Sequence, residues 1–169
     1  MVRFAMLADL ASVKSIADAE RRQLGFVPRG SLVRAIERNE LLVACDTKQS
    51  AVLGFCHLYR RRDGITTIYH VAVASDARGQ GIGRALLSRV IDDAANRGMS
   101  GVRLKCPADL PANRFYAHLG FGLCGQVLGA SRLINLWQHL IVESPSVEHV
   151  LPDRTNQALV SDSPNGTDG

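Results

Sequence analysis

Three glycines alternate with larger residues in the run Arg78-Gly79-Gln80-Gly81-Ile82-Gly83-Arg84. The run lies where a strand-like apolar stretch, Ile68 to Ala74, gives way to a helix-like one, Ile82 to Arg97. Glycine has no Cβ to oppose unusual φ/ψ, so the N–H groups of such a loop can converge on one point. The first turn of the following helix adds unpaired N–H donors and the positive end of its dipole. Together they form a seat for a pyrophosphate, flanked by the charges of Arg78 and Arg84. The chemistry on offer is the binding of a nucleotide-bearing cofactor. No Gly-Lys-Ser/Thr follows, which argues against a nucleoside-triphosphate loop. Glycines at 79, 81 and 83 also miss the dinucleotide spacing, and the strands before them read as a hairpin, not a parallel unit. A turn that merely caps a helix is the plain alternative.

A loop of this kind needs a strand and a helix to aim it, and the surrounding pattern supplies both. Val2 to Met6 reads as a strand, and Leu10, Val13, Ile16 and Ala17 predict a helix from Leu10 to Gln23. Ser31 is placed to cap a second helix carrying Leu32, Val33 and Ile36. Strands are expected over Glu40–Asp46, Val52–Tyr59 and Ile65–Ala74, the last two joined by a hairpin at Asp63-Gly64. After the glycine loop come a helix to Asn96 closing at Gly98, a strand from Gly101 to Cys106 ended by Pro107, and a helix from Ala112 to Leu119. Phe121–Leu128 and Arg132–Val142 complete the order as closing strands. The fold class is α+β: a mixed, mainly antiparallel sheet with helices on both faces.

Composition bounds the rest. The 169 residues suit one domain, with 46% apolar and 21% charged residues. Apolar runs are too short for a membrane span, and Asp9 interrupts the N-terminus before a secretory core develops, so a cytoplasmic protein is expected. Cys45, Cys56, Cys106 and Cys124 are scattered without metal-ligand spacing, so they read as reduced thiols and no metal site is expected. From Glu143 the pattern dissolves: Glu143, Glu148, Asp153, Asp162 and Asp168 face Arg154 alone, and residues 143–169 read as a disordered acidic tail behind a domain over 1–142. The net charge of +4 therefore sits in a more basic body, which suits an anionic cofactor. Aromatics make up 5% of the chain and no dense basic tract interleaves them, so nucleic acid is not an indicated partner.

Arg78-x-x-Gly81-x-Gly83 after Val71-Ala72-Val73 resembles the acyl-CoA pyrophosphate loop of the GNAT superfamily of N-acetyltransferases. Asn113-Arg114-Phe115-Tyr116-Ala117-His118-Leu119-Gly120-Phe121 resembles that superfamily's second motif, a helix ending in Tyr-x-x-x-Gly-Phe. The two stand in the right order, and the resemblance covers Val2 to Val142. It implies a GNAT-like acyl-CoA N-acyltransferase fold, with acetyl-CoA as co-substrate. Arg78, Gly79, Gln80, Gly81, Ile82, Gly83 and Arg84 would hold the pyrophosphate. The glycine-loop strand would splay from the next one and offer the backbone of Val71, Ala72 and Val73 to the pantetheine arm. Asn113 matches a polar contact to that arm, and Tyr116 the acid that protonates the leaving thiolate. The rival reading of Tyr116 is a core tyrosine.

The reaction implied is attack of a neutral amine on a thioester. A free alkyl amine is about one part in 2,500 at pH 7, a cost of about 4.6 kcal/mol, so a proton acceptor is useful. Many GNAT proteins carry a glutamate on the strand before the loop. Here Tyr69-His70-Val71 puts His70 in that neighbourhood, and a histidine accepts protons near neutrality without a large shift. A packed strand histidine is the rival, and Glu20 or Glu40 acting through water an alternative. His118 reads as surface and Trp137 as core. Phe26 and Arg29, between the first two helices, are expected acceptor contacts by the same resemblance. Arg60-Arg61-Arg62 reads as a solvated hairpin end, with recognition of an acidic acceptor as its rival.

The acceptor is a small-molecule amine or a protein amine, and a homodimer stays open because such proteins often dimerise. Two other readings survive the sequence. One is a non-catalytic acyl-CoA-binding regulatory module, favoured by the missing glutamate. The other is an acetyltransferase acting on a macromolecule, a protein N-terminus or an aminoacyl-tRNA.

Overall fold

The computed structural model describes residues 1–48 and 50–142. The tail expected from residue 143 lies outside them. Among the described residues, seven strands form one sheet: β1 (Val2–Phe4), β2 (Leu41–Cys45), β3 (Val52–Arg60), β4 (Ile65–Val73), β5 (Gly101–Pro107), β6 (Gly122–Leu128) and β7 (Leu133–Leu140). Their spatial order is β1-β2-β3-β4-β5-β7-β6, and among these strands β4–β5 pair in parallel and the rest antiparallel. Helices α1 (Leu10–Ala19), α2 (Arg21–Leu24), α3 (Arg29–Glu37), α4 (Ile82–Asn96) and α5 (Ala112–His118) supply the layers.

Period-two alternation divides the core between the two faces of the sheet. On β2, Leu42 and Ala44 join Cys56, Leu58 and Ile68 beneath Leu86, Leu87, Val90 and Ala94 of α4. Leu41, Val43 and Cys45 point the other way, to Phe55, Val13, Ile16 and Leu32 under α1 and α3. Leu86, Leu87 and Val90 are almost fully buried, each stabilising by about 1.5–3 kcal/mol relative to exposure. The α1/α3 layer stops short of β5, where Arg103 and Lys105 are exposed. This is the mixed α+β architecture that the pattern implied.

The structure corrects several boundaries. The first predicted helix breaks at Glu20, whose φ of −95° and ψ of 15° leave the helical range, so α2 starts anew at Arg21. Ser31 does not cap α3. Pro28 holds the N-cap position, and the Ser31 hydroxyl inside the first turn donates to the Pro28 carbonyl at 2.7 Å. Pro107 closes β5 as its last residue, not just beyond it. The Asp63-Gly64 hairpin forms, with Gly64 at φ 78°.

Candidate active site

The parallel β4–β5 ladder runs from Ile65↔Gly101 to Ile68↔Leu104 and ends there. Beyond it β4 continues to Val73 paired only with β3, through Phe55↔Ala72 and Gly54↔Val73. The Ala74 N–H donates to Leu53 O, and strand alternation makes Ala72 and His70 face β3 in the same way. The N–H and C=O groups of Val71 and Val73 therefore point into the gap. That gap opens a cleft of about 690 Å³.

The glycine loop forms one end of the cleft. Gly79 and Gly81 have φ of 76° and 78°, the left-handed region that favours glycine, and a Cβ at either would meet nothing within 4 Å. Conformation, not space, calls for glycine at both. Gly81 is the N-cap of the fifteen-residue α4 and no side chain caps the helix, so its first N–H groups stay open to a ligand. Gly83 serves a different need: a Cβ there would stand 3.2 Å from Phe115 Cζ. The absent side chain lets α4 lie against α5 across the end of the cleft.

Of the residues singled out by sequence, Val71, Ala72, Val73, Arg78, Gly79, Gly81, Ile82, Gly83, Arg84 and Tyr116 line this one cleft. Gln80 does not; its amide lies 3.5 Å from the Asp76 carbonyl in an exposed setting. The Arg78 guanidinium bonds the Glu20 carboxylate, and its Nε donates to Val73 O at 3.3 Å. Glu20, Gln23 and Leu24, from the α1–α2 break, complete the facing wall.

Tyr116 is buried, with its ring against Phe115, Phe121 and Trp137. Burial, then the nearby Cys106 and Cys56, raise its phenol above the ordinary value near 10, and no hydrogen bond opposes the shift. It is both a core tyrosine and a cleft wall, and it holds its proton at neutral pH.

Asn113 is placed otherwise than expected, because its side chain turns away from the cleft. Its Nδ2 donates to the carbonyls of Pro107 (2.7 Å), Leu110 (2.8 Å) and Ala108 (3.3 Å). Its Oδ1 accepts from Asn135 Nδ2 at 2.8 Å and Trp137 Nε1 at 2.9 Å. That amide is fully committed to protein partners. It locks α5 onto the β5–α5 turn and β7, and so sets where Tyr116 stands. Trp137 is core, as read from sequence.

His70 does not line the cleft. It lies one residue before Val71, half-buried, with Nδ1 3.2 Å from His57 Nδ1. Burial lowers its pKa from the ordinary value. Phe26 and Arg29 do not line this cleft: Phe26 is 63% exposed, with its ring between Arg21 and Lys14 at 5.2 and 5.7 Å, and Arg29 opens α3 at the surface. His118 is exposed, against the Arg114 carbonyl. Glu40 sits near the Arg60 amide, away from the cleft. In the arginine run, Arg61 pairs with Asp63 at the surface, as a solvated hairpin end, but Arg60 is corrected: its side chain is largely buried against Asp93.

Sequence reasoning missed two residues, one that shapes the cleft and one just behind it. Gly54 is one: a Cβ there would sit 2.7 Å from Ala72 O and 3.3 Å from Ile82 Cγ2, so its absence lets β3, β4 and the start of α4 close together. An isolated glycine inside a strand pattern was the available signal. His57 is the other: counting outward from the Asp63-Gly64 turn sets it opposite Tyr69, and the register shift between His57 and Leu58, which no sequence signal marks, brings it opposite His70 instead.

The model of the acetyltransferase (GNAT) family matches residues 10–121. No curated protein matches in sequence. Solved structures do match in fold. Ard1 from Thermoplasma volcanium superposes with a TM-score of 0.75 at 21% identity, over 85% of this chain and 98% of that one. The ribosomal-protein-alanine N-acetyltransferase of Brucella melitensis gives 0.71 at 25% identity, over 83% and 99%. The yncA protein of Salmonella typhimurium, solved with its cofactor acetyl-CoA, gives 0.72 at 22% identity, over 91% and 98%.

Proposed function

This chain belongs to the acetyltransferase (GNAT) family, and we propose that it transfers the acetyl group of acetyl-CoA directly to a primary amine held in the same cleft. One observation carries the reading: the β4–β5 ladder stops after Ile68 and Leu104, beside a helix whose N-terminus no side chain caps. The pyrophosphate would lie on the open N–H groups of α4 and its loop, with Arg84 beside it. Each charge-assisted hydrogen bond there contributes about 1.5–3 kcal/mol. The pantetheine arm would run along the unpaired amides of Val71 and Val73, and a donor at that strand end would polarise the thioester carbonyl.

The amine nitrogen bonds the acetyl carbon as the carbon–sulfur bond breaks. His70, which stands behind the cleft lining, would take the amine's proton through water, and Tyr116 would give one to the departing sulfur. A buried phenol that stays protonated at neutral pH suits that second role. Because burial holds His70 below its ordinary pKa, it is neutral and able to accept at pH 7. Activity falls as pH drops through the lowered His70 value, giving an acid limb on the acid side of an ordinary histidine's.

The test is thiol release from acetyl-CoA across a panel of small amines, with mass spectrometry of the products. Peptides beginning with alanine belong in the panel, because the Brucella protein's name gives ribosomal-protein alanine as its target. Acetylated product with a saturable amine dependence is the expected result. Tight CoA binding with no product from any acceptor would point instead to a regulatory acyl-CoA-binding module.

A further inference from the structure

Outside the cleft lining, the sheet holds one pair of titratable rings face to face. His57 on β3 stands opposite His70 on β4, with ring centroids 5.4 Å apart, planes at 29° and Nδ1 atoms separated by 3.2 Å. Alternation puts both on the face of Phe55 and Ala72, and Ala72, two residues further along β4, lines the cleft. Two Nδ1 atoms this close share one hydrogen: one ring donates and the other accepts. If His70 takes a proton at Nε2, both of its nitrogens become donors. Its Nδ1–H then needs an acceptor, and a His57 that carries its own hydrogen on Nε2 supplies one.

We propose that His57 is a positioning residue for His70: its bare Nδ1 accepts the His70 Nδ1–H and fixes the tautomer that leaves His70 Nε2 to receive the amine's proton. The inference rests on the reading of His70 as the proton acceptor. A neutral imidazole here takes the place that a carboxylate holds behind the histidine of a hydrolase triad. The surroundings agree with that division of roles. Burial, and then His70, push His57 down to about 4, so it stays uncharged and accepting, while the first proton goes to His70. The titratable groups against the pair are Tyr69, 5.6 Å from His57 and 6.5 Å from His70 between ring centroids, and Tyr59, 6.3 Å from Tyr69. From α1 and α3 this face meets Val13, Ile16, Leu32 and Ile36, all apolar. Among the described residues, burial, joined at His57 by the partner ring, and not a carboxylate, lysine or arginine, sets the direction of both shifts.

Nitrogen-15 NMR of the full chain at neutral pH reads the tautomers without any ligand, with H57Q and H70Q providing the assignments. The expected result is a hydrogen on Nδ1 of His70 and on Nε2 of His57; a hydrogen on Nε2 of His70 overturns the proposal. Kinetics with acetyl-CoA and the best amine of the panel supply the second arm. H57L is expected to lower kcat about tenfold and to move the acid limb of kcat/KM to lower pH, because the imidazolium loses its acceptor. H57Q, whose Oε1 can accept the same hydrogen bond, is expected to recover most of both. An acid limb that H57L leaves in place overturns the proposal. Full activity in H70Q would remove the proton-acceptor reading itself, and the NMR result on the pair would stand apart from it.

Discussion

On one side of the cleft, Gly79, Gly81 and the first turn of α4 present main-chain N–H groups and no capping side chain. On the other, a single side chain, Asn113, joins three carbonyls to the donors of Asn135 and Trp137 and thereby holds α5 and Tyr116. The first wall is written in backbone conformation, so most side chains on it can change while the seat survives. The second is written in side-chain hydrogen bonds inside the fold, where one lost amide strands several buried partners. Substitutions on the first should therefore act on cofactor affinity, and those on the second on stability and turnover.

The largest effect expected is from Asn113→Ala, which leaves Trp137 Nε1 and the Asn135 amide without their acceptor. Denaturant unfolding should show a loss of about 3 kcal/mol; a loss no larger than a surface mutation gives would erase the contrast. Tyr116→Phe comes next, with kcat down by about a hundredfold and CoA affinity kept. Its stability should move by no more than about 0.5 kcal/mol, since the hydroxyl gains nothing from a hydrogen bond. Unchanged turnover would reduce Tyr116 to packing. Gly81→Ala should cost about 1–2 kcal/mol through the left-handed φ, seen by calorimetry mainly as weaker CoA binding. If CoA binds it as tightly as the parent, the loop is not the seat. Smallest is Glu20→Gln, which breaks the ion pair with Arg78. Because Arg78 is half exposed, thermal unfolding should register less than about 1 kcal/mol.

The backbone wall was the more legible in the sequence, for a physical reason. A left-handed φ needs glycine, so Gly79 and Gly81 mark their own conformation, and the helix after them follows from periodicity. Asn113 was legible only as a motif position. Nothing in its spacing says that its amide turns inward to Pro107 and Trp137, because those partners come from β5 and β7, whose approach depends on the whole sheet. Phe26 and Arg29 were no more legible: they lie close in sequence to Gln23 and Leu24, yet after the helix break at Glu20 Leu24 lines the cleft while Phe26 stands outside it, between Lys14 and Arg21. Short connecting segments carry little periodicity, so a shift of two residues in the reading exchanges wall for surface.

The early end of the β4–β5 ladder gives the sheet an edge in its interior as well as at its two sides. Open strand edges invite pairing with foreign chains, and proteins blunt or cover them. Here Phe115 and Tyr116 of α5 stand over the opening along with the glycine loop. Hydrogen exchange would show this directly: the amides of Val71 and Val73 should trade protons with solvent faster than those of His70 and Ala72, which β3 protects. An extended ligand arm laid along the opening should slow them to match. The missing rung of the sheet is then completed by a molecule that is not protein.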